Sequence, residues 1–205
     1  MPRVAPERKR ASAIEEVRRR QIMESTVAVV ADVGFAGASL AAIAQRAGLS
    51  KGLLSYHFRD KDDLMEQTAR WTFASFERAI VDGLDLGAPA PDLLRQLVQQ
   101  VAAHGATHRA ERRALDQIIR NLRRPDGSPR FSLADYESTY AAQEQLFRRG
   151  QRDGTFRAFD PRVMAVTLQA ALDAMFGYAD AHPDVDLEHY ADQLADLLLA
   201  AVAAR

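Results

Sequence analysis

Cysteine is absent from the 205 residues, which excludes disulfide scaffolds, thiolate metal sites and cysteine nucleophiles. Long apolar runs are missing too, because no stretch approaches the roughly 18 uninterrupted apolar residues of a membrane span. No apolar segment follows the basic, polar N-terminus, so we expect no signal peptide. The composition, 47% hydrophobic and 27% charged, is that of an ordinary globular protein. We therefore expect a soluble cytoplasmic chain of one or two small domains, without a membrane partner.

The formal net charge is only −1, but the charges are unevenly distributed. Residues 1–65 contain 11 Lys and Arg against 8 Asp and Glu, whereas residues 66–205 contain 16 against 20. A basic N-terminal part on an acidic remainder is expected if only the N-terminal part meets a polyanion such as DNA. A solvated charge run on an ordinary surface is the alternative.

Helix-forming residues dominate the chain, and Val and Ile do not alternate as they would in strands. We predict an all-α fold of about nine helices. Glycine, proline and capping residues mark their ends. The first predicted helix ends at Gly34, and the others cover residues 40–47, 51–58, about 61–80, 92–107, 109–123, 132–152, 161–180 and 186–203.

Two short amphipathic segments, 40–47 and 51–57, are separated by a turn that contains Gly48, which is the signature of a helix-turn-helix. Leu54 and Phe58 of the second segment are expected to be buried. Its other residues would face outward and fit a DNA major groove: Lys51, Gly52, Leu53, Ser55, Tyr56 and His57. The capping residues Ser39 and Ser50 offer hydroxyl donors to phosphates.

Interpretations of this region that do not involve contact with DNA also remain open. The two helices can form an inert hairpin, and Tyr56 and His57 can be half-buried aromatic residues. Arg18, Arg19 and Arg20, at the start of the first helix, either reach the phosphates or a minor groove of DNA or form a solvated polar face.

One residue pattern is more specific than the geometry alone. It comprises Ser39, Ile43, Ala44, Ala47, Gly48, Leu49, Ser50, Lys51, Gly52, Leu54, Tyr56, His57, Phe58, Lys61 and Leu64. This pattern resembles the DNA-binding domain of the TetR family of transcriptional regulators and covers about the first third of the chain. A weaker resemblance lies in residues 150–157, followed by Asp160 and Pro161, which look like the link before the last two helices of many family members.

The resemblance implies a DNA-binding domain at residues 1–62, with a flexible basic arm at 1–13, and an effector-binding and dimerisation domain at 63–205. It also implies that Lys51, Gly52, Tyr56 and His57 touch DNA, and that Lys61, Ser39 and Ser50 hold phosphates. Leu53 stands where a small polar residue is common, and Ser55 where an aromatic residue is common. Leu53 would suit a thymine methyl group, so these departures bear on the operator sequence rather than on DNA binding.

An effector pocket is expected among aromatic and polar residues of the fourth to seventh helices. The candidates are Trp71, Phe76, His104, His108, Gln117, Asn121, Tyr136, Tyr140 and Phe147. His104 and His108 have the i, i+4 spacing of metal ligands, but the segment between them lacks the glutamate of the HExxH motif. We therefore expect no metal and no cofactor.

The eighth predicted helix is apolar around much of its circumference, which is expected of a helix that is either central or shared with a partner, and the last helix carries an apolar seam close to a heptad pattern. We predict that they pair with their copies in a C2 four-helix bundle. The predicted interface residues are Val163, Val166, Ala170, Ala174, Tyr190, Leu194, Leu197, Leu198 and Ala201.

The expected function is that of a homodimeric, nucleoid-associated repressor, released from a near-palindromic operator on double-stranded DNA by a small-molecule effector. The alternatives are an activator, or an effector-independent DNA-binding protein that acts architecturally or through a protein partner. An enzyme is not expected. GxSxG, GxGxxG and P-loop motifs are missing, and the carboxylate pairs lie side by side or alternate along helices instead of converging.

Overall fold

A computed structural model describes the backbone of residues 5–204 and the side chains of residues 14–204. This part of the chain forms nine α-helices and no strand, which confirms the all-α prediction. A 3₁₀ turn, Leu133–Tyr136, precedes the seventh helix. The helices are α1 (Ala5–Gly37), α2 (Leu40–Ala47), α3 (Lys51–His57), α4 (Lys61–Asp82), α5 (Ala90–Thr107), α6 (Arg109–Asn121), α7 (Glu137–Arg152), α8 (Pro161–Ala181) and α9 (Leu187–Val202). Over the same residues no helix is both long and apolar enough to cross a bilayer.

Side-chain caps begin several helices where the sequence predicts them. Ser39, Ser50, Asp60 and Asp160 each accept a hydrogen bond from a backbone N–H in the first turn of the helix that follows. Gly48 ends α2 with φ of 65°, in the left-handed region that glycine adopts without strain. This sharp turn allows α3 to leave α2 at a new angle, as a helix-turn-helix requires.

The first helix is longer than predicted. Its backbone is helical from Ala5, so residues 5–13 are helix rather than a flexible arm, and residues 1–4 of the predicted arm lie outside the described residues. Ala, Glu, Lys and Arg dominate this stretch, and they are strong helix formers. At Gly34, where the sequence predicts the end of the helix, the backbone is non-helical.

The chain divides into two compact units, which differ from the predicted division at residue 62. The first unit comprises Met1–Ser75 and Ala110–Phe131, and the second comprises Phe76–Arg109 and Ser132–Arg205. Helix α4 therefore contributes residues to both units, and nearly all of α6 belongs to the first. The reason is apolar packing. The core of the first unit joins residues of α1–α4 to residues of α6 and the segment after it: Ile22, Val30, Ile43, Leu54, Phe58, Leu64, Met65, Ala114, Ile118, Leu122 and Phe131.

The second unit has its own core, built by α5, α7, α8 and α9. Its centre includes Leu94, Phe147, Leu168 and Met175, all fully buried. The link after α7 enters this core through Phe156, which is 4% exposed. The ring of Phe156 lies so close to Gly150 that a Cβ atom at Gly150 would overlap a ring carbon. Gly150 is therefore required for this close approach.

Candidate functional site

Helix α3 presents one exposed face, which we call the recognition face: Lys51, Gly52, Leu53, Ser55 and Tyr56. Tyr56 is 74% exposed and Leu53 is 37% exposed. Leu54 and Phe58 are buried in the core of the first unit, as predicted. The alternative that Tyr56 is a half-buried aromatic residue is therefore wrong. Its ring projects with the side chains that the sequence assigns to DNA.

His57 differs from the other residues predicted to face DNA, because it is half-buried. Its Nδ1 atom is buried and has no hydrogen-bond partner. A contact between this ring and DNA would therefore have to use the Nε2 edge. The Tyr56 ring lies edge-on to the imidazole, with 5.1 Å between the ring centroids.

The residues predicted to bind phosphates flank the recognition face along the chain. The hydroxyls of Ser39 and Ser50 use a lone pair to cap α2 and α3, so their own O–H groups remain available as donors. The Lys61 ammonium group donates to the Phe35 carbonyl oxygen at 3.0 Å and lies 5.0 Å from the centre of the Phe35 ring. An ammonium group has three N–H donors, so this contact leaves others for a phosphate.

A carboxylate network holds the segment just after α3. Asp63 accepts hydrogen bonds from the Arg59 backbone N–H at 3.0 Å and from the Gln67 amide at 2.9 Å. Burial raises the pKa of the Asp63 carboxyl, but these bonds and the Arg59 guanidinium outweigh it and bring the pKa below its ordinary value of 3.8. The fold therefore favours the charged carboxylate.

We expect Asp63→Asn to destabilise the protein at neutral pH and to have little effect in acid. A carboxyl whose pKa is lowered in the folded state adds stability that is complete above its unfolded pKa and is lost as the pH falls through the folded value. Urea unfolding of both proteins from neutral pH to about pH 3 measures this difference. Asp62→Asn, at an exposed carboxylate in the same turn, is the control. A difference that persists unchanged into acid would show that the charge of Asp63 does not stabilise the fold.

Three predicted effector residues lie together in the second unit. Phe76 packs edge-on against His104, with 4.8 Å between ring centroids, and its centroid is 6.2 Å from that of His108. The His104 and His108 rings stack at 4.1 Å. We call these three residues the aromatic cluster. Among the described residues, no three His, Cys, Asp or Glu side chains converge on a point that could hold a metal ion.

Three other predicted effector residues, Trp71, Gln117 and Asn121, belong to the first unit. Trp71 is half-buried against the core of that unit. Gln117 accepts a hydrogen bond from the Phe35 backbone N–H at 3.0 Å, which ties α6 to the segment after Gly34. Asn121 is exposed and donates to the Gln117 carbonyl oxygen within α6. Gln117 and Asn121 thus have local structural partners.

The remaining predicted effector residues lie on α7 or in the turn that precedes it. Phe147 is fully buried among Phe156 and Phe159, which is the placement of a core residue. Tyr136 and Tyr140 lie one turn apart, with ring centroids 6.1 Å apart. Tyr140 is 5% exposed, and the Arg162 guanidinium lies 4.8 Å from the centre of its ring.

The sequence analysis missed a buried polar residue of the second unit, Gln143. Its amide group donates to the Gln169 side chain at 3.1 Å, while its Oε1 atom is buried without a hydrogen-bond partner. A buried glutamine with an unused acceptor is costly unless something else supplies a donor. A glutamine in an exposed-looking stretch of helix gives no signal of this burial in the sequence.

Most of the predicted dimer residues are exposed apolar residues of α8 and α9. Val163 is 63% exposed and Leu197 is 70% exposed. We call the following set the α8–α9 surface, in which Tyr190 and Leu194 are half-buried against the core of the second unit and the others are exposed: Val163, Val166, Ala170, Ala174, Tyr190, Leu194, Leu197 and Ala201. Leu198 is excluded, because it is 7% exposed and packs into the core of its own unit.

A two-helix motif with capped helices, a left-handed glycine between them and an exposed second helix defines a helix-turn-helix domain within an all-helical chain. A family model for bacterial regulatory proteins of the tetR family matches residues 22–68. The HTH-type transcriptional regulator BetI of Pectobacterium carotovorum is 42% identical over 67 residues, 33% of this chain and 34% of that protein. BetI of Yersinia pestis strain Pestoides F is 43% identical over the same coverage of both chains.

The matched segment spans about a third of the length of these curated relatives. Solved structures extend the likeness of fold to nearly the whole chain. A tetR-family regulatory protein from Rhodococcus RHA1 matches with a TM-score of 0.74 and 23% identity, covering 92% of this chain and 98% of that one. FadR from Bacillus halodurans matches with a TM-score of 0.73 and 18% identity, covering 89% and 94%. Residues 22–68 are thus similar to the DNA-binding segment of TetR-family transcriptional regulators, and the fold of nearly the whole chain is similar to that of solved TetR-family structures.

Proposed function

We propose that this protein is a cytoplasmic, nucleoid-associated repressor that binds a near-palindromic operator as a homodimer and leaves it when a small molecule binds. The observation that carries the proposal is the recognition face. An exposed aromatic residue, a lysine and a serine project from a short helix in a helix-turn-helix domain. A helix of this kind enters the major groove, where its side chains meet base edges and phosphates.

The α8–α9 surface supports the dimer. Symmetric dimers place two recognition helices about one turn of DNA apart, which matches the two halves of a palindrome. The exposed face of α8 combines valines with small residues, Ala170 and Ala174, that permit close helix approach. Such an apolar face is expected to be covered in the functional protein.

The effector site is proposed for the second unit, around the aromatic cluster and α7. The stacked imidazole rings and the phenyl ring of the cluster, and separately the unused Gln143 acceptor on α7, are apolar and polar groups of the kinds that small-molecule sites use. Helix α4 carries Lys61 at its start and Phe76 near its end. A ligand that contacts Phe76 would therefore act on the same helix that holds a predicted phosphate contact.

A gel-shift titration on DNA from upstream of the protein's own gene tests the proposal. We expect saturable binding that survives non-specific competitor DNA. Tyr56→Ala should weaken it about tenfold or more, because a contact of this kind contributes about 1–3 kcal/mol. Tyr56 is exposed, so the thermal stability should not change. Tyr56→Phe keeps the ring and removes only the hydroxyl, so it separates ring contacts from hydrogen bonds.

Two outcomes would contradict the proposal. Binding that is equally salt-sensitive on every DNA fragment, including fragments selected from the whole genome, would indicate a non-specific or architectural protein. Higher transcription from the bound promoter in a purified system would indicate an activator.

A further inference from the structure

Arg19, in the middle of a run of three arginines, makes contacts within the protein that set it apart from its two neighbours. Arg18 and Arg20 are exposed, whereas Arg19 is half-buried. Its guanidinium donates to the His57 carbonyl oxygen at 2.7 Å and also donates to the Gln67 side chain. The same group lies 4.7 Å from the centre of the Phe58 ring. One side chain of α1 therefore contacts both the last residue of α3 and a residue of α4.

The His57 carbonyl is one of the last carbonyls of α3, and these carbonyls have no backbone N–H partner within the helix. A cation at this end satisfies the carbonyl and also opposes the negative end of the helix dipole. Helix α3 spans only seven residues, so it depends on tertiary contacts to keep its shape and direction. The Arg19 contacts are of this kind.

A second set of hydrogen bonds connects α4 to the segment just after α3. Gln67, which accepts from Arg19, donates to Asp63, and Asp63 accepts from the backbone N–H of Arg59. Residues 57–59 are thus held between Arg19 on one side and Asp63 on the other. The bonds join α1 and α4 to the end of the helix that carries the recognition face.

We propose that Arg19 is a positioning residue that sets the angle of α3 in the major groove, and that it does not bind a phosphate. The proposal rests on the DNA-binding function proposed above. The two terminal nitrogens of Arg19 each donate to an oxygen of the first unit, and an aromatic ring lies against the guanidinium, so these contacts within the unit fix its position. The angle of α3 affects contacts with bases, because these contacts need the side chains to be aligned within the groove. It has little effect on the non-specific attraction between basic side chains and phosphates.

A phosphate-binding role and a positioning role for Arg19 predict different DNA-binding data. Loss of a phosphate contact weakens binding to all sequences alike and reduces the slope of log affinity against log salt by about one. Loss of a positioning contact lowers affinity for the operator, leaves affinity for scrambled DNA nearly unchanged and leaves the salt slope unchanged. The ratio of operator to scrambled affinity is therefore the decisive quantity.

The experiment measures both affinities over a series of salt concentrations for the full-length protein and its variants. The probes are an operator duplex selected with the wild-type protein and a scrambled duplex of equal length. For Arg19→Gln we expect a loss of about tenfold on the operator and less than about twofold on the scrambled duplex. Arg19→Lys should lose operator affinity similarly, because an ammonium group does not reproduce the planar fork. Arg20→Gln, at the exposed neighbour, reports the effect of removing one charge from this region.

Gln67→Ala keeps the test decisive if Arg19→Gln fails to fold. It removes the second partner of Arg19 without changing the charge, and it should lower operator affinity in the same direction. Circular dichroism confirms that each variant is folded at the temperature of the binding assay. The proposal is overturned if Arg19→Lys binds the operator like wild type, or if Arg19→Gln weakens both duplexes equally with a smaller salt slope. A wild-type protein that does not distinguish the duplexes would instead contradict the proposed function itself.

Discussion

The double substitution Val163→Asp and Leu197→Asp is expected to convert the protein to a monomer and to lower its operator affinity by about 100-fold or more. Both side chains are largely exposed in the single chain, so the substitutions should leave the fold of each subunit intact. In a dimer they would bury unpaired carboxylates in an apolar contact, which is strongly unfavourable. A monomer loses the effective concentration that links binding at the two half-sites.

Sedimentation equilibrium measures the oligomeric state, and the gel shift on the operator measures affinity. Leu133→Asp is the matched control, because Leu133 is 73% exposed and lies outside the α8–α9 surface. It should keep the wild-type mass and affinity. If the double variant stays dimeric, the subunits associate through another surface.

Gly150→Ala is expected to lower the free energy of unfolding by about 1–3 kcal/mol, the usual cost of an overpacked core. The added methyl group would overlap the Phe156 ring, and this overlap cannot persist without movement of the ring or the helix. Both Gly150 and Phe156 are buried in the second unit, so neither can shift freely into solvent. Thermal and urea unfolding monitored by circular dichroism measure the loss.

A double-mutant cycle with Phe156→Leu tests the cause of this loss. The smaller side chain makes room for a methyl group, so Gly150→Ala should cost much less in the Phe156→Leu background than in wild type. Gly52→Ala provides a helical glycine with space, since the nearest atom, the Ser50 Oγ, would be 3.9 Å from the added Cβ, and it should be neutral or slightly stabilising. Equal costs of Gly150→Ala in both backgrounds would show that the Phe156 ring is not responsible.

Local signals explain why the positions of α2 and α3 could be predicted from the sequence. Serine caps, a left-handed glycine and apolar residues at helical spacing all act within a few residues, and each was found where expected. The exposure of Tyr56 follows from the same spacing, because Leu54 and Phe58 occupy the buried side of the helix. The recognition face is therefore largely a property of local sequence.

Contacts between distant residues could not be predicted in this way. Arg19 and His57 are 38 residues apart, and Gln117 and Phe35 are 82 apart, so no local pattern links them. The burial of Leu197 and Leu198, which are adjacent, could not be predicted from the sequence either. Both are apolar and adjacent, but only the packing of the second unit decides that Leu198 turns inward while Leu197 stays exposed.

The assignment of residues 110–131 to the first compact unit has a consequence for protein engineering. A chimeric regulator would join the N-terminal segment of one protein to the remainder of another. Here a graft that stops at residue 62 or 75 would leave behind Ile118, Leu122 and Phe131, which fill the core beneath the helix-turn-helix. A chimera would therefore need this second stretch from the same parent, or side chains of matching volume at these positions, to keep the core of its helix-turn-helix domain packed.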